Sequence, residues 1–426
     1  MITLPSDRVG WHERAIALRI AGQFEAAFDA INRALLYRPV ACETLAMRAH
    51  LLADLGRFDA AIDAYRATLS AGPQLIDTHE TFARLLPQIG LESEALDSYH
   101  SALATNPEVG ILWVSAMGTA KALGESAQLL EWARAAEARF GPDTMVTVFA
   151  AHALSAMGRD GEARDLLVSA VALEPTYVAA QTTLAHVLIK LGAYRDAESA
   201  LAMAVRLSPD DQAAWALLTL VWRLLDDPQE YWLADYERLV IAIDLPDLDL
   251  SALTTLLNNR HQMTHHPVDQ SLRGGSQTRG TLFDSDDPIL VALQSTIKRE
   301  VEGILKSLTV DPGHPFFARN TGTIKFAGSW SVRLRSQGFH VNHMHPEGWL
   351  SSALHIDLPP EVGSGDAGAL AFGIPDAVLG LDLSARRIVK PKAGQLVIFP
   401  SYFWHGTMPF ESKHDRLTVA FDALPS

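Results

Sequence analysis

The sequence predicts a multidomain α and β chain, an N-terminal all-α repeat superhelix followed by a compact antiparallel β domain with flanking helices. Three observations predict it. Glycines recur every 34 positions through the first half, and each glycine-to-proline segment carries apolar residues at helical spacing. From about Leu245 the helical period gives way to short alternating or apolar runs separated by Gly and Pro. At 426 residues the chain is also too long for one ordinary core. The expected boundaries are a repeat array with capping helices over 1–225, a capping or junction segment over 226–280, and the β domain over 281–426.

The repeat array rests on two phased series. Gly22, Gly56, Gly90, Gly124, Gly158 and Gly192 differ successively by 34, and Pro39, Pro73, Pro107, Pro142, Pro175 and Pro209 run in step with a one-residue wobble. Within GRFDAAIDAYRATLSAGP, residues Ala60, Ala61, Tyr65 and Leu69 fall at helical spacing. Each unit is therefore a helix hairpin whose Gly permits the turn and whose Pro stops the second helix. Small residues such as Ala61, Ala95 and Ala197 allow close helix approach. Residues 212–240 read as capping helices. The period resembles that of tetratricopeptide repeats, which implies a concave surface for a protein or peptide partner. A homodimer contact, or simple support for the second domain, is the alternative use of such an array.

Composition narrows the function. The chain is 48% hydrophobic and 20% charged, as globular proteins are, and its formal net charge is -15. That acidity argues against a general binder of nucleic acid or anionic membrane, which needs Lys and Arg to displace counterions. The single Cys42 rules out an internal disulfide framework and a multi-thiolate zinc site, and fits a reducing compartment. The N-terminus lacks a basic segment followed by an apolar run, and no stretch reaches the roughly 18 apolar residues of a membrane helix, so a cytoplasmic location is expected.

In the second half, HQMTHHPVDQSLRGGSQTRG reads as a junction or lid. DDPILVALQSTIKREVEGILKSL reads as one amphipathic helix with Ile289, Leu293, Ile297, Val301 and Leu305 on one face. WSVRLRS, FHVNHMH, WLSSALHIDL, GALAFGIP, QLVIFPS and RLTVAFDAL follow as strands of a sandwich or barrel. His343 and His345 are two apart, which on a strand places both rings on one face, and His405 comes sixty residues after His345. Imidazoles in a domain without cysteine suit a borderline metal such as iron(II). Arg416, eleven positions beyond His405, opens the last strand with Thr418 facing the same way, and a guanidinium grips a carboxylate bidentately.

The ordered pieces His-x-His, LSSALHIDLP, GALAFGIP, AGQLVIFPSYFWHG and DRLTVAF, with QSLRGGSQT and SWSVRL before them, resemble the double-stranded β-helix (jelly-roll) oxygenases. Within them the chain is similar to bacterial tetratricopeptide-linked, 2-oxoglutarate and Fe(II) dependent members. It covers roughly residues 225–426 and implies that His343 is the first iron ligand, His405 the distal ligand, and Arg416, helped by Thr418, the partner of the far carboxylate of 2-oxoglutarate. The chain departs from the common pattern at the third ligand, where His345 stands in place of a carboxylate. Three neutral imidazoles would leave more positive charge on the iron. A shifted register, in which His345 and Glu347 supply the H-x-E pair, is the competing assignment, and under either His345 and His405 are ligands.

Other positions are open to two readings. His355, Asn342 and Ser352 are candidates for the pocket lining or for support of the site, with a structural hydrogen-bonding role as the alternative. Arg333 and Arg335 share a strand face and could contact cosubstrate or substrate, or be solvated surface charges. Trp330, Trp349 and Trp404 are expected to pack the barrel, with an aromatic substrate platform as the alternative, and His340 and His414 receive no support as ligands. The resemblance implies O2-dependent decarboxylation of 2-oxoglutarate coupled to hydroxylation of a protein or peptide side chain, or of a small metabolite. A non-catalytic adaptor with a degenerate jelly roll, and a three-histidine cupin-like dioxygenase without cosubstrate, are the competing functions.

Overall fold

The computed structural model describes residues 7–261, 270–278, 280–309 and 311–426. Thirteen α-helices among the described residues, from Arg8–Ile20 to Gln212–Leu224, stack as successive antiparallel hairpins. All six periodic glycines sit in the left-handed region, with φ between 70° and 85°. There a Cβ costs about 1–2 kcal/mol, which is why Gly recurs. The series has a seventh member that a search for glycine misses. Asp226 lies 34 positions after Gly192 with φ of 52°, so the helix Gln212–Leu224 belongs to a seventh unit. The short helices Gln229–Leu233 and Tyr236–Leu239 stand where that unit's second helix would be.

The prolines mark a second recurrence. Six residues after Pro73, Pro107, Pro175 and Pro209, the side chains of His79, Trp113, Gln181 and Trp215 each donate to that proline's carbonyl at 2.8–3.0 Å. These bonds close the turn between units by satisfying a carbonyl at a helix end. In the second unit Ala61, Ile62, Tyr65 and Leu69 are buried, whereas Ala60 faces solvent, a correction of one position to the expected stripe.

Among the described residues nine strands form the β domain: β1 (Ile241–Asp244), β2 (Leu272–Gln277), β3 (Ile324–His343), β4 (Leu350–Asp357), β5 (Leu370–Phe372), β6 (Arg387–Val389), β7 (Gln395–Pro400), β8 (His405–Thr407) and β9 (Arg416–Pro425). All pairings are antiparallel, in the order β1-β7-β4-β9-β3-β8-β5-β6, with β2 also on β3. The first half of β3 pairs with β9 and its end pairs with β8, so this one strand curls the sheet into a jelly roll. WSVRLRS and FHVNHMH, expected as separate strands, are thus both drawn from β3. The kink between them is at Gln337, with φ of 61°, and Gly338. A Cβ on Gly338 would stand 2.7 Å from the Gly274 carbonyl, so β2 can cross there only over glycine.

The stretch expected as a junction contributes β1 and β2 to the sheet. Residues 262–269 and 279 of the irregular HQMTHHPVDQSLRGGSQTRG segment lie outside the described residues. The long helix is Pro288–Ser307, capped by Asp287. Leu290, not Ile289, joins Leu293, Ile297, Val301 and Leu305 in the core, because four-residue steps drift off a 3.6-residue period.

Array and sheet share a continuous apolar core that runs from Tyr99 to Phe421. Trp404 Nε1 donates to the Ala216 carbonyl at 2.8 Å and Tyr402 to the Leu233 carbonyl at 2.8 Å. Arg223 donates to the carbonyls of Gly373 and Ser384, and Arg386 holds Glu230 bidentately at 2.6 and 2.8 Å. At the other end Gln23 of the first unit reaches Asp286 at 3.2 Å. No helix among the described residues is long and apolar enough to cross a membrane.

Candidate metal centre

His343 ends β3 and His405 opens β8, and the two are direct cross-strand partners in the antiparallel register. His345 lies beyond the end of β3, not on it as the spacing suggested. Its backbone N–H donates to the Ser401 carbonyl at 3.0 Å, which turns the ring back toward the other two. One ligand nitrogen from each ring falls within 4.8 Å of the others.

The hydrogen bonds fix which nitrogen each ring presents. Nδ1 of His343 faces the Val341 carbonyl at 2.8 Å, Nδ1 of His405 the Phe403 carbonyl at 2.9 Å, and Nδ1 of His345 the Asp422 carboxylate at 2.8 Å. Each acceptor requires a proton on Nδ1, so each Nε2 of a neutral ring carries a lone pair. Nε2 of His343 and of His345 are 3.1 Å apart. Adjacent ligands of a metal about 2.1 Å away lie about 3 Å apart, so this spacing suits a cis pair. The Ser271 hydroxyl stands 3.1 Å from His343 Nε2 at the edge of the group. Burial, with neighbouring imidazoles second, holds His343 and His405 well below the usual histidine range, so both rings are neutral and their Nε2 lone pairs are free to bind a metal.

The three histidines line a cavity of about 1170 Å³ that also contains Arg416, Thr418 and Trp330. Arg416 is 2% exposed, yet it has no carboxylate partner among the described residues. Nη1 donates to the Gly368 carbonyl at 2.6 Å, Nη2 lies 3.3 Å from His355 Nδ1, and the buried Nε has no partner. Burial pushes the guanidinium down to about 10. A buried cation with donors to spare calls for an anion. The donor set therefore fits both an iron(II) ion and the carboxylate of a cosubstrate.

The remaining expectations divide. His355 is fully buried, held well below the usual range by burial and then by Arg416, and its neutral ring serves the guanidinium. Thr418 and Ser352 line the cavity, although Ser352 spends its hydroxyl on the backbone of Phe421. Asn342 does not line it, because its side chain packs against Gly406 of the neighbouring strand. Arg333 and Arg335 point away from the cavity, which Val332 faces. Arg333 lies 3.7 Å from Asp415 and Arg335 is exposed. Glu347 is exposed in the turn after His345 and outside the ligand group. Trp349 stacks on Phe316 and Trp404 packs against the array, but Trp330 faces the cavity and stacks on His345 with centroids 6.0 Å apart.

Three features went unread in the sequence. Asp422 orients His345, and the signal was a carboxylate in the apolar run that follows Thr418 in the last strand. His340, given no role, lines the cavity and meets Thr407 at 3.1 Å. Burial lowers it to about 3, with Arg416 and then His345 adding to the shift. Third, the array supplies a wall of the same cavity through Arg84, Pro87, Glu92 and the segment from Lys121 to Gly124.

The fold and site thus define a jelly roll with three clustered histidines and a buried arginine that has no carboxylate partner among the described residues, joined to a repeat array. In agreement, a family model described as "Putative 2OG-Fe(II) oxygenase" matches residues 328–422, and tetratricopeptide-repeat models match residues 43–74 and 151–221. The matched segments are thus similar to an oxygenase domain of that description and to tetratricopeptide repeats. Among solved structures it is similar to a tetratricopeptide repeat protein from Parabacteroides merdae ATCC 43184 (14% identity, 54% of this chain and 91% of the other, TM-score 0.41). It is also similar to PilW, a type IV pilus biogenesis factor (15% identity, 54% and 91%, TM-score 0.32), and to MamA (17% identity, 39% and 92%, TM-score 0.30). No curated protein matches it.

Proposed function

We propose that this chain is an iron(II) and 2-oxoglutarate dependent oxygenase that hydroxylates a protein or peptide side chain, in an O2-requiring reaction. The observation that carries this reading is the meeting, in one cavity, of three imidazole lone pairs and a buried arginine that lacks an anion. Bound iron and cosubstrate would supply the oxidising chemistry. The chain's own residues do the rest. His343, His345 and His405 hold the metal on one side, leaving the cavity side for other ligands. Arg416 receives the far carboxylate through Nε and its free Nη protons, while Gly368 and His355 hold the guanidinium in plane. Thr418, beside it on β9, offers a hydroxyl to the same carboxylate.

A protein substrate is favoured because the repeat array forms part of the cavity wall. A side chain reaching the metal passes Arg84 and Lys121, and a polypeptide can follow the array's inner face to get there. The test is anaerobic titration of the apo protein with iron(II) and 2-oxoglutarate, following the visible metal-to-ligand charge-transfer band. The band should appear in the wild type and vanish in His405→Ala and Arg416→Ala. Its absence in metal-loaded wild-type protein would support the adaptor reading instead. Turnover by Arg416→Ala without 2-oxoglutarate would support a three-histidine dioxygenase.

A further inference from the structure

We propose that Asp422 is the charge-balancing carboxylate of the metal centre, acting from behind His345 instead of on the metal. The inference rests on the metal-centre reading above. The three rings differ in one respect: His343 and His405 donate Nδ1–H to neutral backbone carbonyls, whereas His345 donates to a carboxylate. Asp422 is 9% exposed and has no Lys or Arg ion pair among the described residues; its one ion-pair contact is His345.

The carboxylate is built in. Ser351 donates to its second oxygen at 2.6 Å, and Ser401 lies 2.8 Å from the Ser351 hydroxyl. The carbonyl of the same Ser401 accepts the His345 backbone N–H at 3.0 Å, so one hydrogen-bonded unit fixes both the ring and the acid behind it. A divalent ion on three neutral imidazoles leaves a site charge of two. Counting Asp422 restores the single net charge of a site with two histidines and a carboxylate, the arrangement from which this chain departs. The carboxylate also strengthens His345 as a donor by drawing on its Nδ1 proton.

The test measures cobalt(II) affinity of the purified full chain by competition with a chelator, alongside thermal melting of the metal-free protein. Asp422→Asn keeps an acceptor for the ring and removes the charge, and is expected to weaken cobalt binding about 10–100-fold. In a His345→Glu background, where the ligand itself brings the charge and no ring is left for Asp422 to polarise, Asp422→Asn should weaken binding by less than about threefold. A merely structural Asp422 would weaken binding to the same extent in both backgrounds. Cobalt affinity within twofold of wild type in Asp422→Asn, or loss of the same size in both backgrounds, overturns the proposal. Should Asp422→Asn melt far below wild type, Ser351→Ala decides: it frees the carboxylate but keeps the charge, and must lose less than tenfold. Undiminished affinity in His343→Ala and His405→Ala would instead sink the metal-centre reading itself.

Discussion

Arg416→Met separates a guanidinium that awaits an anion from one that is part of the scaffold. Burial lowers Arg416 from its ordinary value to about 10, which at about 1.4 kcal/mol per tenfold disfavours its charged form by about 3 kcal/mol at neutral pH. Both values lie far above neutral pH, so the folded protein bears the whole cost there and sheds it only in strong alkali. Methionine removes that cost and fills a similar volume. It also strips partners from the Gly368 carbonyl and His355 Nδ1, each worth about 1 kcal/mol. The metal-free variant should therefore be as stable as wild type to within about 1 kcal/mol, where breaking a paired buried arginine costs about 3–5 kcal/mol. Ligand binding should behave in the opposite way. Losing a bidentate charged contact is worth about 3 kcal/mol or more, at least 100-fold in the dissociation constant of 2-oxoglutarate. Denaturant unfolding of the metal-free protein and anaerobic calorimetry with manganese(II) and 2-oxoglutarate read the two quantities. Destabilisation beyond about 3 kcal/mol, or unchanged affinity for 2-oxoglutarate, would refute the reasoning.

Five further outcomes are expected. His345→Ala should abolish metal binding and Glu347→Ala should change it less than threefold, and a chelator competition that reversed the two would restore the shifted ligand register. His355→Asp should pair off Arg416 and weaken 2-oxoglutarate at least tenfold in calorimetry, leaving metal affinity unchanged, while His355→Asn retains most of it. Because His343 and His405 are held well below 6.5, neither of these two rings should take up a proton at the metal's expense between pH 8 and pH 6, in contrast to exposed histidines. The same depressed values mean that the unfolded chain takes up protons below 6.5 that the folded chain refuses, so metal-free stability should fall with pH from that point; a flat profile contradicts the burial. Asp226→Gly should raise stability by about 0.5–1 kcal/mol in a denaturant titration, since it relieves a side chain in the left-handed region.

The helical repeats were legible because one residue type is forced at one backbone conformation, and the 34-residue series of left-handed glycines writes that requirement into the sequence. Asp226 escaped because an aspartate can occupy the same conformation without advertising it. In the β domain the long strands carried enough apolar residues to be read, whereas β1, β6 and β8 are three or four residues long and borrow their pairing from neighbours. His343, His345, His405 and Arg416 were readable as chemistry. Their supporting residues were not, because Asp422, Ser351 and Ser401 meet only when β9, β4 and the turn after β7 are brought together, and no spacing along the chain encodes that.

The least legible feature is how the two halves meet, and it bears most on specificity. A tethered recruitment module would touch the catalytic domain through a small polar contact. Here the indole of Trp404 donates into the helix Gln212–Leu224 one residue before His405, and Arg223 grips the strand end after β5 at Gly373. Through these contacts the seventh unit is hydrogen-bonded beside the three histidines, and the third and fourth units line the same cavity. The packing between those units therefore bears on the width of the cavity in front of the histidines. A substitution that alters packing between units, such as Tyr99→Ala beneath Trp132, should change which substrates reach the histidines without touching a ligand. Its signature would be a changed KM for the substrate with an unchanged dissociation constant for 2-oxoglutarate, whereas an array that serves only as a tether predicts neither changes.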